Sequence, residues 1–167
     1  MKGLGRTFFR IFLLLGVFVL MSSWTNNEEW RTYTYRSGNF KIALPGTPET
    51  HRERAMTIRS RSKTGTYYMI SFNQHDFLSQ NPADIQAALQ RQASTYHRSL
   101  GGAVEQEQAT NLGGLPARRY HFKSANGVHI HYLVAISRDR IYQLSAMSIL
   151  DYPQSEQFFA SFELLSR

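Results

Sequence analysis

The residues at positions 125–136, "ANGVHIHYLVAI", contain the side chains whose types and spacing are best suited to chemistry. His129 and His131 alternate along a predicted strand, so both imidazoles lie on the same face of it. A His-x-His pair with a third imidazole on the neighbouring strand can bind tetrahedral zinc and leave the fourth position open. The first question is therefore which residues face this pair.

The register of the hairpin decides that question. A two-residue turn at Asn126-Gly127 would put the aromatic side chains before the turn and the aliphatic side chains after it on opposite faces. A three-residue loop over residues 125–127, with Gly127 in the left-handed bulge position, puts them on one face. Because a one-residue slip exchanges the faces of a whole strand, we predict the three-residue loop. It pairs Ser124 with Val128, Phe122 with Ile130, Tyr120 with Tyr132, His121 with His131, Lys123 with His129 and Arg119 with Leu133.

This register makes His121, His129 and His131 the candidate metal ligands. Arg119 and Lys123 on the same face oppose a cation, and the sequence indicates no carboxylate that would support the ligands. We therefore expect no tight metal site and no cofactor, and interpret this face as a polar, solvated side of the sheet. A hydrolase or metal-dependent enzyme that uses the histidine face is the alternative.

Sequence motifs of catalysis are absent from the chain. It contains no His-Glu-x-x-His, no Gly-x-Ser-x-Gly, no glycine-rich phosphate loop before a helix, and no cysteine. Triads are recognised by geometry rather than by sequence, so the six histidines leave other combinations open. We assign no catalytic residue and expect a protein that is not an enzyme.

The first 23 residues have the pattern of an export signal. Lys2, Arg6 and Arg10 precede the apolar run of residues 11–21, and two serines follow it. Eleven helical residues rise only about 16 Å, well short of the roughly 30 Å hydrocarbon core. We expect a cleaved signal peptide or, if the segment is retained, a membrane anchor. No cysteine follows the run, which excludes a lipid-anchored lipoprotein.

The net charge of +7 includes three positive charges from that segment, so 16 basic and 12 acidic residues leave +4 for the remainder. Arg59, Arg61 and Lys63 are the candidate contacts to an anionic surface, next to the aromatic pair Tyr67 and Tyr68. A solvated basic strand edge is the alternative interpretation of these residues. Export argues against nucleic acid as the partner, so we expect an envelope protein or component instead.

Residues 24–32 have no hydrophobic period and are interpreted as a linker, and residues 33–167 as a single α+β domain. Alternating apolar residues separated by turns predict an antiparallel sheet of about six to eight strands. One long helix is predicted from Pro82 to Leu100, with Asn81 as N-cap and Gly101 after its end. A short helix opening at Pro153 and a last strand over residues 162–164 complete the prediction.

The motifs "GNFKIALPGTPE", "NLGGLPARRYHF", "RIYQLSAMS" and "FFASFEL", in this order around one capped helix, resemble the PsbP-like superfamily over residues 33–164. This family comprises the extrinsic photosystem II subunit and its exported bacterial relatives. The resemblance implies an α/β/α sandwich and a non-catalytic binding or assembly role. No metal-binding or partner-binding residue of that subunit can be matched to this chain, so a photosynthetic role is not implied. We expect a monomer that meets the membrane only through its N-terminal segment.

Overall fold

A computed structural model describes residues 29–53, 55–75, 81–150 and 154–166. The predicted export segment, most of the predicted linker and Pro153 lie outside these residues. Within the described ranges, no helix is both long enough and apolar enough to cross a membrane. The first strand begins at Trp30, three residues before the predicted start of the domain.

The protein has an α+β fold, as predicted, with ten strands in two antiparallel sheets among the described residues. The smaller sheet has the order β1-β2-β10, with β1 at Trp30–Tyr35, β2 at Phe40–Pro45 and β10 at Glu163–Leu164. The larger sheet has the order β3-β4-β5-β9-β8-β7-β6, with β3 at Glu49–Arg52, β4 at Met56–Arg61, β5 at Tyr67–Gln74, β6 at Ala103–Leu112, β7 at Leu115–Lys123, β8 at His129–Ile136 and β9 at Arg140–Ser148.

The larger sheet has seven strands, within the predicted six to eight. The sequence predicted one sheet, however, and did not anticipate that the first hairpin pairs with the C-terminal strand in a sheet of its own. It also missed β3, a short and exposed edge strand that begins immediately after Pro48. Four exposed residues without an apolar alternation carry no periodic signal, so local patterning could not identify this strand.

Helix α1 spans Pro82–Leu100, as predicted. The Asn81 side chain accepts a hydrogen bond from the backbone N–H of Ala83 at 3.0 Å, and Pro82 occupies the first helical position. At the other end Gly101 has a φ of +67°, and its N–H donates to the carbonyl of His97 at 3.1 Å. A non-glycine residue would be strained at that φ, which is why the helix ends there.

One face of α1 packs on strands β7 and β8. Leu89 is fully buried, and the Tyr96 ring stacks on the Tyr132 ring with 4.2 Å between their centroids. Phe122 and Ile130 complete the apolar surface of the sheet beneath the helix. The apolar side of the helix is therefore buried on the sheet, while Arg91 is exposed.

The smaller sheet and helix α2, at Gln154–Ala160, pack on the opposite face of the larger sheet. Phe40, Ile42 and Leu44 project from β2 into this second core, and Phe158 joins them from α2. Helices thus flank the larger sheet on both faces, as the predicted sandwich requires.

We predict that Leu89→Ala lowers the free energy of unfolding by about 2–5 kcal/mol, because it leaves a cavity between α1 and the sheet. Arg91→Ala on the solvent side of the same helix should change it by less than about 0.5 kcal/mol. Urea denaturation of the two variants measures both values. Equal losses at the two positions would show that the helix packs with a different face.

Candidate functional site

The β7–β8 hairpin has the predicted register. His121 lies opposite His131, Lys123 opposite His129, and Phe122 opposite Ile130. The Ser124 N–H donates to the Val128 carbonyl at 2.9 Å, which closes a three-residue loop. Gly127 has a φ of +76°, as the bulge position demands. The three histidines therefore share the face of the sheet that points away from α1.

The three imidazoles are not equivalent. Nε2 of His121 and Nδ1 of His129 share a hydrogen bond of 3.1 Å, so these two nitrogens point at each other. The His131 ring stacks more closely on the His121 ring, with 4.4 Å between centroids and 12° between planes, against 5.2 Å and 26° for His129. His121 is buried, whereas the other two are partly exposed. The structure thus brings all three together, with ring nitrogens of His121 and His129 within hydrogen-bond distance of each other.

A carboxylate that the sequence analysis missed completes this cluster. Glu105 Oε2 lies 3.4 Å from Nδ1 of His121. The pairing of β6 with β7 shifts between Val104 and Gln106, so Glu105 is the extra residue of a β-bulge and Gln106 is the register partner of His121. One ligand atom from each of Glu105, His121 and His129 lies within 4.8 Å of the others. The expectation that no acid supports the histidines was therefore wrong.

The signal for Glu105 was present but ambiguous. The segment "VEQEQ" offers acids at positions 105 and 107, and strict alternation would place both on one face of β6. The bulge separates them, because Glu107 pairs with Arg118 on the α1 side while Glu105 reaches His121. A bulge without a glycine has no strong sequence signature, so alternation alone could not assign Glu105 to the histidine face.

The positive charge of Arg119 on the histidine face is compensated by an acid, which the sequence did not indicate. Its guanidinium forms an ion pair with Glu156 of α2 and lies over the Phe159 ring, 5.2 Å from the centroid. The hydrogen bond and charge of Arg119 lower the pKa of Glu156, and His131 lowers it further. Lys123 is exposed at the end of β7 and adjoins His129. One of the two cations is thus compensated by an acid.

A cleft of about 290 Å³ adjoins the cluster between the sheet and α2. The residues that line this cleft include His121, His131, Arg119 and Glu156, together with polar residues of β6. Its lining is polar and charged, in contrast to the mostly apolar walls of typical small-molecule pockets. This composition suits a small ion or a polar group better than an apolar ligand.

The second candidate surface is on the α1 face of the larger sheet, around β4. Arg59 and Arg61 are exposed and lie opposite Met69 and Tyr67 of β5. Met56 and Ile58 project from the other face of β4, where Ile58 is part of the core and Met56 packs against it. We name the side chains of Arg59, Arg61, Tyr67 and Met69 the basic face.

Helix α1 does not cover the basic face, because it packs on β7 and β8, at the other end of the sheet. Tyr67 and Met69 on this face are half-buried. Glu49 of β3 lies beside Arg59 and is itself 3.6 Å from the His51 ring, so one acid partly offsets the two arginines. Arg59 and Arg61 lie on the same face of β4, and their predicted contact with an anionic surface stays a prediction.

Lys63 lies in the turn between β4 and β5, two residues beyond Arg61. It is exposed, and its charge contributes to lowering the pKa of Glu29 near the start of β1, after the larger effect of Arg31. Its electrostatic neighbour is thus at the β1 end of the molecule. The basic face consists of side chains on β4 and β5, so the turn residue Lys63 is not part of it.

No family model matches the chain, and no curated protein matches its sequence. Among solved structures, the crystal structure of PA94, a protein of unknown function from Pseudomonas aeruginosa, is similar over 72% of this chain and 83% of its own. The sequence identity is 12% and the TM-score is 0.39. Similarity at this level assigns no function, and the resemblance to PsbP-like proteins stays a prediction.

The hairpin register can be tested with an engineered disulfide. Lys123 and His129 are directly opposite, next to the hydrogen-bonded Ser124–Val128 pair, so they occupy a position where side chains approach closely. We predict that the double variant Lys123→Cys, His129→Cys forms a disulfide on mild oxidation, detected as a 2 Da mass loss, since the chain contains no other cysteine. Lys123→Cys with Val128→Cys should stay reduced, because the two side chains lie on opposite faces. The reverse pattern would mean a register slipped by one residue.

Proposed function

We propose that this protein is a non-catalytic binding module that acts outside the cytoplasmic membrane and binds an acidic protein or other anionic component of the cell envelope. The observation that carries the proposal is the basic face, where two exposed arginines adjoin half-buried Tyr67 and Met69 on a part of the sheet that α1 leaves uncovered.

The chemistry of the basic face suits a protein-like or anionic surface. A guanidinium presents several donors in a planar fork and binds carboxylate or phosphate groups in a bidentate manner. Arginine, tyrosine and methionine are also the side chains that are enriched where proteins bind one another. Arg59 and Arg61 are two residues apart on one strand, so their guanidinium groups project from the same side at adjacent positions.

The shapes of the described surface support binding rather than catalysis. The depressions beside α1, beside β4 and β5, and beside the histidines are partly open to solvent, and the basic face is a sheet surface rather than a cleft. Enzymes typically bury most of a small substrate in a pocket with converging polar groups. A metal-dependent hydrolase is the second candidate function, and the observation that favours it is the cluster of Glu105, His121 and His129.

The proposed location depends on the N-terminal segment and has its own test. We predict that mass spectrometry of the natively expressed protein finds a mature N-terminus near Ser23 or Trp24 if the segment is a cleaved signal. An intact Met1 in the membrane fraction would support a retained anchor. Intact protein in the cytosol would contradict both forms of export.

The binding proposal can be tested by affinity capture from the native envelope with the tagged full chain as bait. We predict that a specific partner is retained by the wild type and lost with Arg59→Ser, Arg61→Ser. Arg91→Ser on the exposed side of α1 is the matched control and should retain it. Because the contact is electrostatic, the partner should also elute near 1 M salt, where the screening length is about 3 Å. A partner that survives the double substitution would refute the basic face as its site.

A further inference from the structure

We propose that His121 and His129 bind a divalent transition-metal ion of the zinc class, and that Glu105 orients His121 for this purpose. The inference goes beyond the proposed function and uses the opposite face of the sheet from the basic face. It rests on the geometry of two nitrogen atoms, on the carboxylate beside them and on the charges around them.

The two nitrogens have the separation that a shared ion requires. Nε2 of His121 and Nδ1 of His129 are 3.1 Å apart and are oriented for a hydrogen bond. If an ion lies at the usual zinc–nitrogen distance of about 2.0–2.1 Å from both nitrogens, the N–Zn–N angle is roughly 100°, which is close to tetrahedral. The ion would replace the proton that the two rings now share. Each ring has to tilt so that its nitrogen lone pair points at the ion instead of at the other ring.

Glu105 stands where a supporting carboxylate belongs. Metal-binding histidines usually donate their second ring N–H to a carboxylate or carbonyl, which fixes the tautomer and the orientation of the ring. Glu105 Oε2 is 3.4 Å from Nδ1 of His121, and this leaves Nε2 of the same ring directed at His129. The β-bulge in β6 is what aims Glu105 at this ring, and such bulges commonly redirect side chains near functional sites.

The stacked histidine has a different role. His131 packs flat on the His121 ring, so it limits how far that ring can rotate, but it is outside the group whose ligand atoms converge. The pairing of Arg119 with Glu156 lowers the repulsion that a cation would meet on this face. Glu105 and His129 are accessible to solvent, so water can occupy the remaining coordination positions.

The experiment is a titration of the full-length chain in detergent with Zn²⁺, followed by calorimetry and repeated with Co²⁺ to read the coordination from its visible absorption. We expect one saturable ion per chain. His129→Ala should abolish saturable binding, because it removes one of the two ligands. Glu105→Gln keeps the size of the side chain but removes its charge, and should weaken binding by about 10–100-fold, as losses of supporting carboxylates do.

Two controls separate this site from other histidine clusters. His131→Ala should change the affinity less than threefold, although it removes a ring from the same face, and His51→Ala on β3 should change nothing. Circular dichroism checks that each variant is folded. Absence of saturable binding by the folded wild type overturns the proposal, and so does unchanged binding in His129→Ala. A loss in His131→Ala as large as in His129→Ala overturns the assigned ligand pair.

Discussion

The three-residue loop between β7 and β8 is the constraint on which the rest of the structure depends. Gly127 accepts a φ of +76° that other residues adopt only with strain, and the loop closes with Ser124 opposite Val128. This loop determines the register of both strands. If β8 shifted by one residue, Tyr132 would turn away from α1, and His129 and His131 would lie beneath the helix.

The register has consequences on both faces of the sheet. On one face, Phe122, Tyr132 and their neighbours form an apolar surface wide enough for one helix, and α1 packs there and leaves β3 to β5 uncovered. On the other face, the smaller sheet and α2 cover the core but stop at the histidines, where Glu156 and Arg119 form the border. Both candidate sites therefore lie where a covering layer ends.

Much of the fold was predictable because it depends on local signals. The caps of α1, its apolar stripe, the two-sidedness of β4 and the hairpin register all follow from residue types at fixed spacings. The separate sheet of β1, β2 and β10 was not predictable in this way. Its third strand joins residues about 120 positions apart in sequence, such as Lys41 and Glu163, and no local pattern encodes such a pairing.

The candidate site was likewise predictable only in part. The opposition of His121 and His131 followed from alternation and loop length, but which nitrogens converge depends on side-chain rotation. Glu105 was not predicted, because the β-bulge changes which side chains of β6 share a face and no glycine marks its position. We expected no metal site partly because no supporting acid was evident in the sequence, and Glu105 is such an acid.

X-ray absorption spectroscopy at the zinc edge tests most directly whether the register and the bulge together create a metal site. For the full chain with one equivalent of zinc, we predict two imidazole ligands, with the remaining ligands being oxygen, all at about 2.0–2.1 Å. The His129→Ala variant should show one imidazole at most. A wild-type spectrum with oxygen ligands alone, or with three imidazoles, would contradict the assignment of His121 and His129 as the ligand pair.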